Sequence, residues 1–235
     1  MRVLGISHQA DAGPGVFAEA ARAGGHSLDE WMLPDGDAPA DPLGYEAVMT
    51  FGGSMHADQA AKHPWLADEK ALLRELIARR IPLLGVCLGS QLVAEAAGAP
   101  AEPAPEPEIG WFEVELTAEG VSDPLLAPLT PGFVAFQWHS YRSPVPPDAV
   151  ALARSPRALQ AFRAGDRAWG IQFHAEVTER DAIGWAERFE EDEKAVEMGL
   201  DPDALSAAIR ERIGAWNQLG RELCGRFLDV AAARR

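Results

Sequence analysis

Cysteine is nearly missing from this chain: two thiols, Cys87 and Cys224, stand among 235 residues. So few exclude a disulfide framework or a cysteine-built zinc cluster. Lysine is as scarce, three against eighteen arginines, and the 21 basic side chains are outnumbered by 36 acidic ones. The resulting formal charge of −15 repels phosphate backbones and anionic lipid heads. Nucleic acid and membrane surfaces are therefore not expected as partners, and solubility is the simplest account of the charge. No apolar run approaches the ~20 residues of a membrane span, and residues 1–10 lack the basic-then-apolar pattern of a secretory signal. A cytoplasmic location is expected. No Gly-x-x-x-x-Gly-Lys-Ser/Thr loop is present to bind a nucleotide triphosphate. Among the six histidines only His56 and His63 approach ligand spacing, so neither a metal nor another cofactor is expected.

What is present reads as an ordinary globular chain, 47% hydrophobic and 24% charged. Strand-like runs at 2–6, 45–51 and 81–86 alternate with helix-like stretches at 16–23, 65–79 and 88–97. That alternation predicts an α/β fold of three layers: an open, mostly parallel sheet with helices on both faces. Residues 100–107, Pro-Ala-Glu-Pro-Ala-Pro-Glu-Pro, are expected as a loop because proline has no amide proton to donate. Further strand-like runs at 111–116, 133–139, 149–153, 159–163 and 168–173 predict some antiparallel additions. From Glu179 the chain turns helical, and Leu205, Ile209, Ile213, Trp216, Leu219, Leu223, Phe227 and Val230 recur every three or four residues. Asp201-Pro202 supplies a cap and first-turn proline for that helix. Glu187, Glu190, Glu191, Asp192, Glu193 and Glu197 are expected as the wet face of a helix. A single domain over 1–235 is predicted, with a core at 1–178 and a helical extension at 179–235.

In parallel sheets ligands gather at the carboxyl ends of the strands. Three such ends are Ser7-His8, Gly52-Gly53 and Cys87; His8 is given no role. In Gly85-Val86-Cys87-Leu88-Gly89-Ser90-Gln91 an apolar strand runs directly into a helix, with a cysteine at the turn and glycines two residues to either side. This is the thiol counterpart of a nucleophile elbow, where small neighbours let the chain pass close by. A helix amino terminus and a cationic imidazole favour the thiolate form. His174 is the best candidate for the imidazole because it follows the apolar strand of Trp169-Gly170-Ile171-Gln172-Phe173. Strand period two puts Glu176 on the same side, where a carboxylate can orient the ring. Phe51-Gly52-Gly53-Ser54-Met55, after another strand, suits a loop whose amides approach a ligand. Gly53 and Leu88 are the candidate oxyanion donors. Cys224 adjoins the apolar stripe of the last helix and is expected to be packing.

These segments resemble the class I (triad-type) glutamine amidotransferases. Gly85-Val86-Cys87-Leu88-Gly89-Ser90-Gln91 resembles their nucleophile motif, Gln172-Phe173-His174-Ala175-Glu176 their His-x-Glu motif, and Gly52-Gly53 their oxyanion loop. The likeness covers about residues 1–178. Glu108-Ile109-Gly110-Trp111 and Gln137-Trp138-His139-Ser140 further resemble stand-alone members similar to the glutaminase part of GMP synthase, a group that shades into γ-glutamyl peptidases. The resemblance implies that Cys87 attacks the side-chain amide of glutamine to form a γ-glutamyl thioester, with His174 moving protons and Glu176 orienting it. It also implies that Gln91 and His139-Ser140-Tyr141 hold the amino acid end of the substrate. Many relatives have proline where this chain has Ser54, and others glycine where it has Ser140. The expected partner is a small molecule, glutamine or a γ-glutamyl compound, with a separate synthase subunit as the other taker of the ammonia. If water is the sole acceptor, the enzyme is a plain amidase or γ-glutamyl peptidase. The contrasting expectation is a regulatory binding module that keeps the fold without turnover.

Overall fold

The structure is a computed structural model that describes residues 1–129 and 131–233. Among the described residues there are nine strands: β1 (Arg2–Ser7), β2 (Ser27–Met32), β3 (Ala47–Thr50), β4 (Leu83–Val86), β5 (Glu102–Leu116), β6 (Gly132–Arg142), β7 (Ala149–Arg154), β8 (Leu159–Ala164) and β9 (Ala168–Ile171), of which β1, β3 and β4 are short runs rich in apolar side chains. They form one sheet in the order β2-β1-β3-β4-β9-β8-β7-β5-β6. From β2 to β9 every pairing is parallel, and from β9 to β6 every pairing is antiparallel. The antiparallel additions are thus a second half of the sheet.

Among the described residues seven α-helices accompany it: α1 (Gly15–Ala23), α2 (Trp65–Ala78), α3 (Leu88–Ala96), α4 (Ala118–Ser122), α5 (Glu179–Glu187), α6 (Glu193–Glu197) and α7 (Pro202–Ala232). The strand period of two sorts neighbouring residues into two cores. Val3, Met49 and Leu84 face Val16 and Phe17 of α1 and Ile209, Ile213 and Phe227 of α7. Leu4, Val48 and Leu83 face Leu66, Leu73 and Leu76 of α2 and Leu92 and Val93 of α3. The sheet is therefore covered on both faces, as the alternating sequence pattern predicts.

Three expectations are corrected. The proline-rich stretch lies largely within β5 and is not a loop: Glu102 and Pro103 pair with Arg142 and Tyr141, and pairing resumes at Glu108 with His139. Four residues of β5 bulge past one of β6, and Pro105 and Pro107 fall in that bulge, where no ladder donor is needed. Strand β2 was not anticipated. Its Ser-Leu-Asp-Glu-Trp-Met sequence lacks an apolar run because it is the exposed edge of the sheet. The acidic stretch is not one helix face. It is broken into the end of α5, a 3-10 turn at Phe189–Glu191 and α6, whose first turn Asp192 caps by accepting from Lys194 N and Ala195 N.

Helix α7 begins as predicted: Asp201 accepts from Asp203 N (2.9 Å) and Ala204 N (3.2 Å), with Pro202 at the first position. Beyond covering the sheet, it grips the chain that leaves β9. Trp216 Nε1 donates to His174 O and Asn217 Nδ2 to Val177 O, both at 2.7 Å. Between these contacts, α7 comes so close that a Cβ at Gly220 would lie 2.0 Å from Ala175 O. Gly225, on the same helix, has open space around it. Gly220→Ala must push helix and chain apart and should cost about 1–3 kcal/mol. Gly225→Ala should be neutral or stabilising by up to about 1 kcal/mol through helix propensity. Urea unfolding of the two variants checks the contrast; equal midpoints would refute the close-packing argument.

Candidate active site

Cys87 lies between β4 and α3 with φ 53° and ψ −111°, a conformation that non-glycine residues seldom adopt. Holding a side chain there costs roughly 1–3 kcal/mol, so the surroundings must over-determine it. They do: Cys87 N donates to Ile171 O of β9 (2.9 Å), Gly89 N to Phe51 O after β3 (3.0 Å), and Gln91 N to Cys87 O (3.1 Å). The flanking glycines give clearance. A Cβ at Gly85 would lie 2.5 Å from Gly89 O, and one at Gly89 would lie 2.2 Å from Thr50 O.

His174 is delivered by the extended chain after β9. Its backbone N donates to Phe136 O of β6 at 2.9 Å, and its carbonyl is held by Trp216. The ring is buried, edge-on to Trp185, and Nδ1 donates to Glu176 Oε1 at 2.8 Å. Nε2 is then the nitrogen turned away from the carboxylate. A Cβ at Gly52 would lie 3.1 Å from His174 Cε1 and 3.8 Å from Cys87 Cβ, so the cysteine and the imidazole meet at one point over the Gly52 backbone. Burial disfavours a charged ring, but attraction to Cys87 and to the Glu176 carboxylate outweighs it. Together they hold the His174 pKa well above its ordinary 6.5.

A pocket opens beside Cys87. Gly53 and Leu88 line it, as do Gln91, His139, Ser140 and Tyr141. The structure therefore brings every sequence-predicted site residue to one place, with His174 and Glu176 buried beside Cys87. Residues 108–111 and 137–140 are also neighbours, for Glu108 pairs with His139 and Gly110 with Gln137 across β5 and β6. Gln91 Nε2 donates to Tyr141 O (3.2 Å) and Gln172 Oε1 (3.3 Å). The His139 ring is turned inward: Nδ1 donates to Tyr141 O at 2.9 Å, and Nε2 lies 3.1 Å from Glu108 Oε2 without hydrogen-bond alignment. With its ring turned inward, what His139 offers the pocket is the backbone of β6.

Sequence reasoning missed Trp138 and Asp192. Trp138 O accepts from Cys87 Sγ at 3.7 Å, and Trp138 Nε1 donates to Asp192 Oδ2 at 2.9 Å, placing a carboxylate on the pocket wall. The capping pattern before α6 was legible; its attachment to the pocket is a tertiary fact. Cys224 behaves as a packing residue. Its Sγ donates to Phe17 O at 3.5 Å, and burial pushes its thiol up to about 12.

The family model described as Glutamine amidotransferase class-I matches residues 34–184. This chain belongs to the class-I glutamine amidotransferases. It is 30% identical to the glutamine amidotransferase-like protein YfeJ of Salmonella typhimurium, over 97% of this chain and 96% of that one. It is also 30% identical to the γ-glutamyl-L-1-hydroxyisopropylamide hydrolase of a Pseudomonas species, over 61% of this chain and 52% of the hydrolase. The crystal structure of a glutamine amidotransferase from Thermotoga maritima superposes with a TM-score of 0.87 at 30% identity, covering 97% of this chain and 98% of that one. The class-I amidotransferase fold is thus shared over nearly the whole chain, including the region of α5 to α7.

Within this amidotransferase the His174 ring should titrate above 6.5, and Glu176→Gln, which removes one of the two groups favouring the charge, should lower that midpoint. Proton NMR of the His174 ring across pH reads both values. An unchanged midpoint in the variant would show that Glu176 does not hold the charge.

Proposed function

We propose that this protein hydrolyses γ-glutamyl amide bonds, with glutamine as the default substrate, through a thioester on Cys87. The observation that carries this reading is the meeting of Cys87 with the His174–Glu176 pair over Gly52, beside a pocket. The Cys87 sulfur attacks the δ-carbonyl carbon, and the C=O electron pair moves to oxygen. The Gly53 and Leu88 amides donate to that oxyanion. Collapse of the tetrahedral species breaks the C–N bond, His174 Nε2 giving its proton to the departing nitrogen. Neutral His174 then takes a proton from water, hydroxide adds to the thioester, and glutamate leaves as the thiol is regenerated. Glu176 keeps the ring's tautomer and orientation throughout. Gln91 and residues 139–141 of β6 hold the amino acid end.

The Pseudomonas relative's name describes hydrolysis of a γ-glutamyl amide with an amine leaving group larger than ammonia, which favours testing more than glutamine. A separate synthase subunit is the other outlet for the nitrogen, and the thioester step is common to both. Both described cysteines are free, and a thiol nucleophile works best in a reducing compartment, which supports the cytoplasm.

Purified protein given glutamine and a set of γ-glutamyl amines should release glutamate with ammonia or the amine. Cys87→Ser should abolish turnover, and His174→Ala should slow acylation about 100-fold or more. A glutamine-like diazoketone should label Cys87. Equal inactivity of the native protein and Cys87→Ser across the set, with no labelling, would overturn the reading in favour of a binding module of the same fold.

A further inference from the structure

His8 directly follows β1 yet does not line the pocket; it is buried against the Gly52-Gly53 loop. Its Nδ1 lies 3.0 Å from Gly52 O, and its Nε2 lies 2.8 Å from Glu69 Oε2 of α2. Thr50 Oγ1 at the end of β3 donates to the second Glu69 oxygen at 2.6 Å, and Trp65 stacks on the imidazole at 5.5 Å between centroids. The side chains of His8 and Glu69 are wholly out of solvent. A buried ion pair of this kind is a costly arrangement that confers little stability over apolar packing, which points to a purpose for its placement. The triad mechanism uses none of these residues.

The acceptors dictate the protons. Gly52 O can only accept, so Nδ1 carries a hydrogen and donates it; the carboxylate on the other side takes a second shared proton from Nε2. In agreement, attraction to Glu69 and the hydrogen bonds to Glu69 and Gly52 overcome the burial that would neutralise the ring, and the His8 pKa is raised.

A non-proline peptide is planar and almost always trans, so the carbonyl of Gly52 and the N–H of Gly53 belong to one rigid plane and point in opposite directions. Pinning Gly52 O toward His8 therefore turns the Gly53 N–H away from His8, toward the side of the loop where Cys87 lies. The preceding carbonyl, Phe51 O, is pinned by Gly89 N from the nucleophile's helix. Glycine leaves this plane free to rotate unless something external holds it, and a Cβ at Gly53 would lie 3.1 Å from His8 Cβ and 2.8 Å from Met55 Sδ. We propose that His8, anchored by Glu69 and Thr50, is a positioning residue that orients the Gly52-Gly53 peptide so that the Gly53 N–H is aimed at the oxyanion. This inference rests on the hydrolytic reading above. A charge-assisted bond to the carbonyl also polarises the N–H at the other end of the same peptide.

Two variants separate the ring's two bonds. His8→Gln places an amide nitrogen near the Nε2 position, keeping the bond to Glu69 and losing the one to Gly52. The double variant H8N/E69Q places an amide near the Nδ1 position, keeping the Gly52 bond without stranding a buried carboxylate. Removing one oxyanion donor outright costs about 100- to 1,000-fold in kcat, so losing its orientation in His8→Gln should lower kcat about 10- to 100-fold with KM within about 3-fold of native. Alkylation of Cys87 by iodoacetamide, a displacement that forms no oxyanion, should be unchanged. H8N/E69Q should recover most of the lost kcat. Hydrogen exchange at residues 51–54, read by mass spectrometry without any substrate, should quicken in His8→Gln and return toward native in the double variant. Native kcat and exchange in His8→Gln would overturn the proposal. So would a parallel loss of kcat, substrate affinity and alkylation that H8N/E69Q does not recover, which marks ordinary packing. Absence of turnover in the native protein would strike the hydrolytic reading instead, and the exchange measurement would still decide the role of His8.

Discussion

The strained turn at Cys87 is the constraint on which the neighbourhood is arranged. A cysteine at φ 53° is held there only because three strands and a helix converge on it. β9 supplies the carbonyl that its N–H needs, the chain after β3 supplies the one for Gly89, and Gly85 and Gly89 remove the atoms that would collide. Relaxing the turn would swing the sulfur off the sheet end and break contacts in β3, β4 and β9 together. The backbone strain is local, while the interactions that maintain it are spread over the central sheet.

The same economy governs the imidazole. His174 has no regular element of its own, since β9 ends at Ile171. Its position is set by Phe136 O on one side and by Trp216 and Asn217 of α7 on the other. The long carboxyl-terminal helix thus belongs to the scaffold of the site. Near Cys87, the buried His8–Glu69 pair holds the Gly52-Gly53 loop. Two imidazoles, each oriented by a carboxylate, frame Cys87: His174 reaches toward the sulfur, and His8 holds the backbone behind it. The two share a chemistry of charge-assisted hydrogen bonds in a dry environment, where such bonds are stronger than in water and more sensitive to geometry.

Legibility from sequence followed how local the controlling physics was. The apolar runs of β1, β3, β4 and β9 were readable because both faces of a parallel sheet are buried. β2 was not, because an edge strand carries no such run. The prolines of residues 100–107 argued for a loop, and the argument failed where Pro105 and Pro107 fall in a bulge of β5 that asks nothing of their missing amides. The elbow, the histidine and the glutamate were readable because residue types and short spacings carry them. Asp192 was read as part of a solvated face, since nothing within its own segment announces that Trp138, 54 positions earlier, will bind it. His8 was noticed at a strand end and left without a role for the same reason: its meaning lies in Glu69, 61 positions away.

By itself, then, the sequence determined the α/β class, the strand ends of β1, β3 and β4, and the chemical identity of the groups gathered there, because alternation, glycine clearance and side-chain chemistry are properties of short stretches of chain. Tertiary structure alone decided which way each group faces. It turned the His139 ring inward, brought Asp192 to the pocket wall and put His8 behind the glycine loop. Those outcomes depend on hydrogen-bond directions and close contacts between elements far apart in the chain, and a linear pattern does not encode a direction in space.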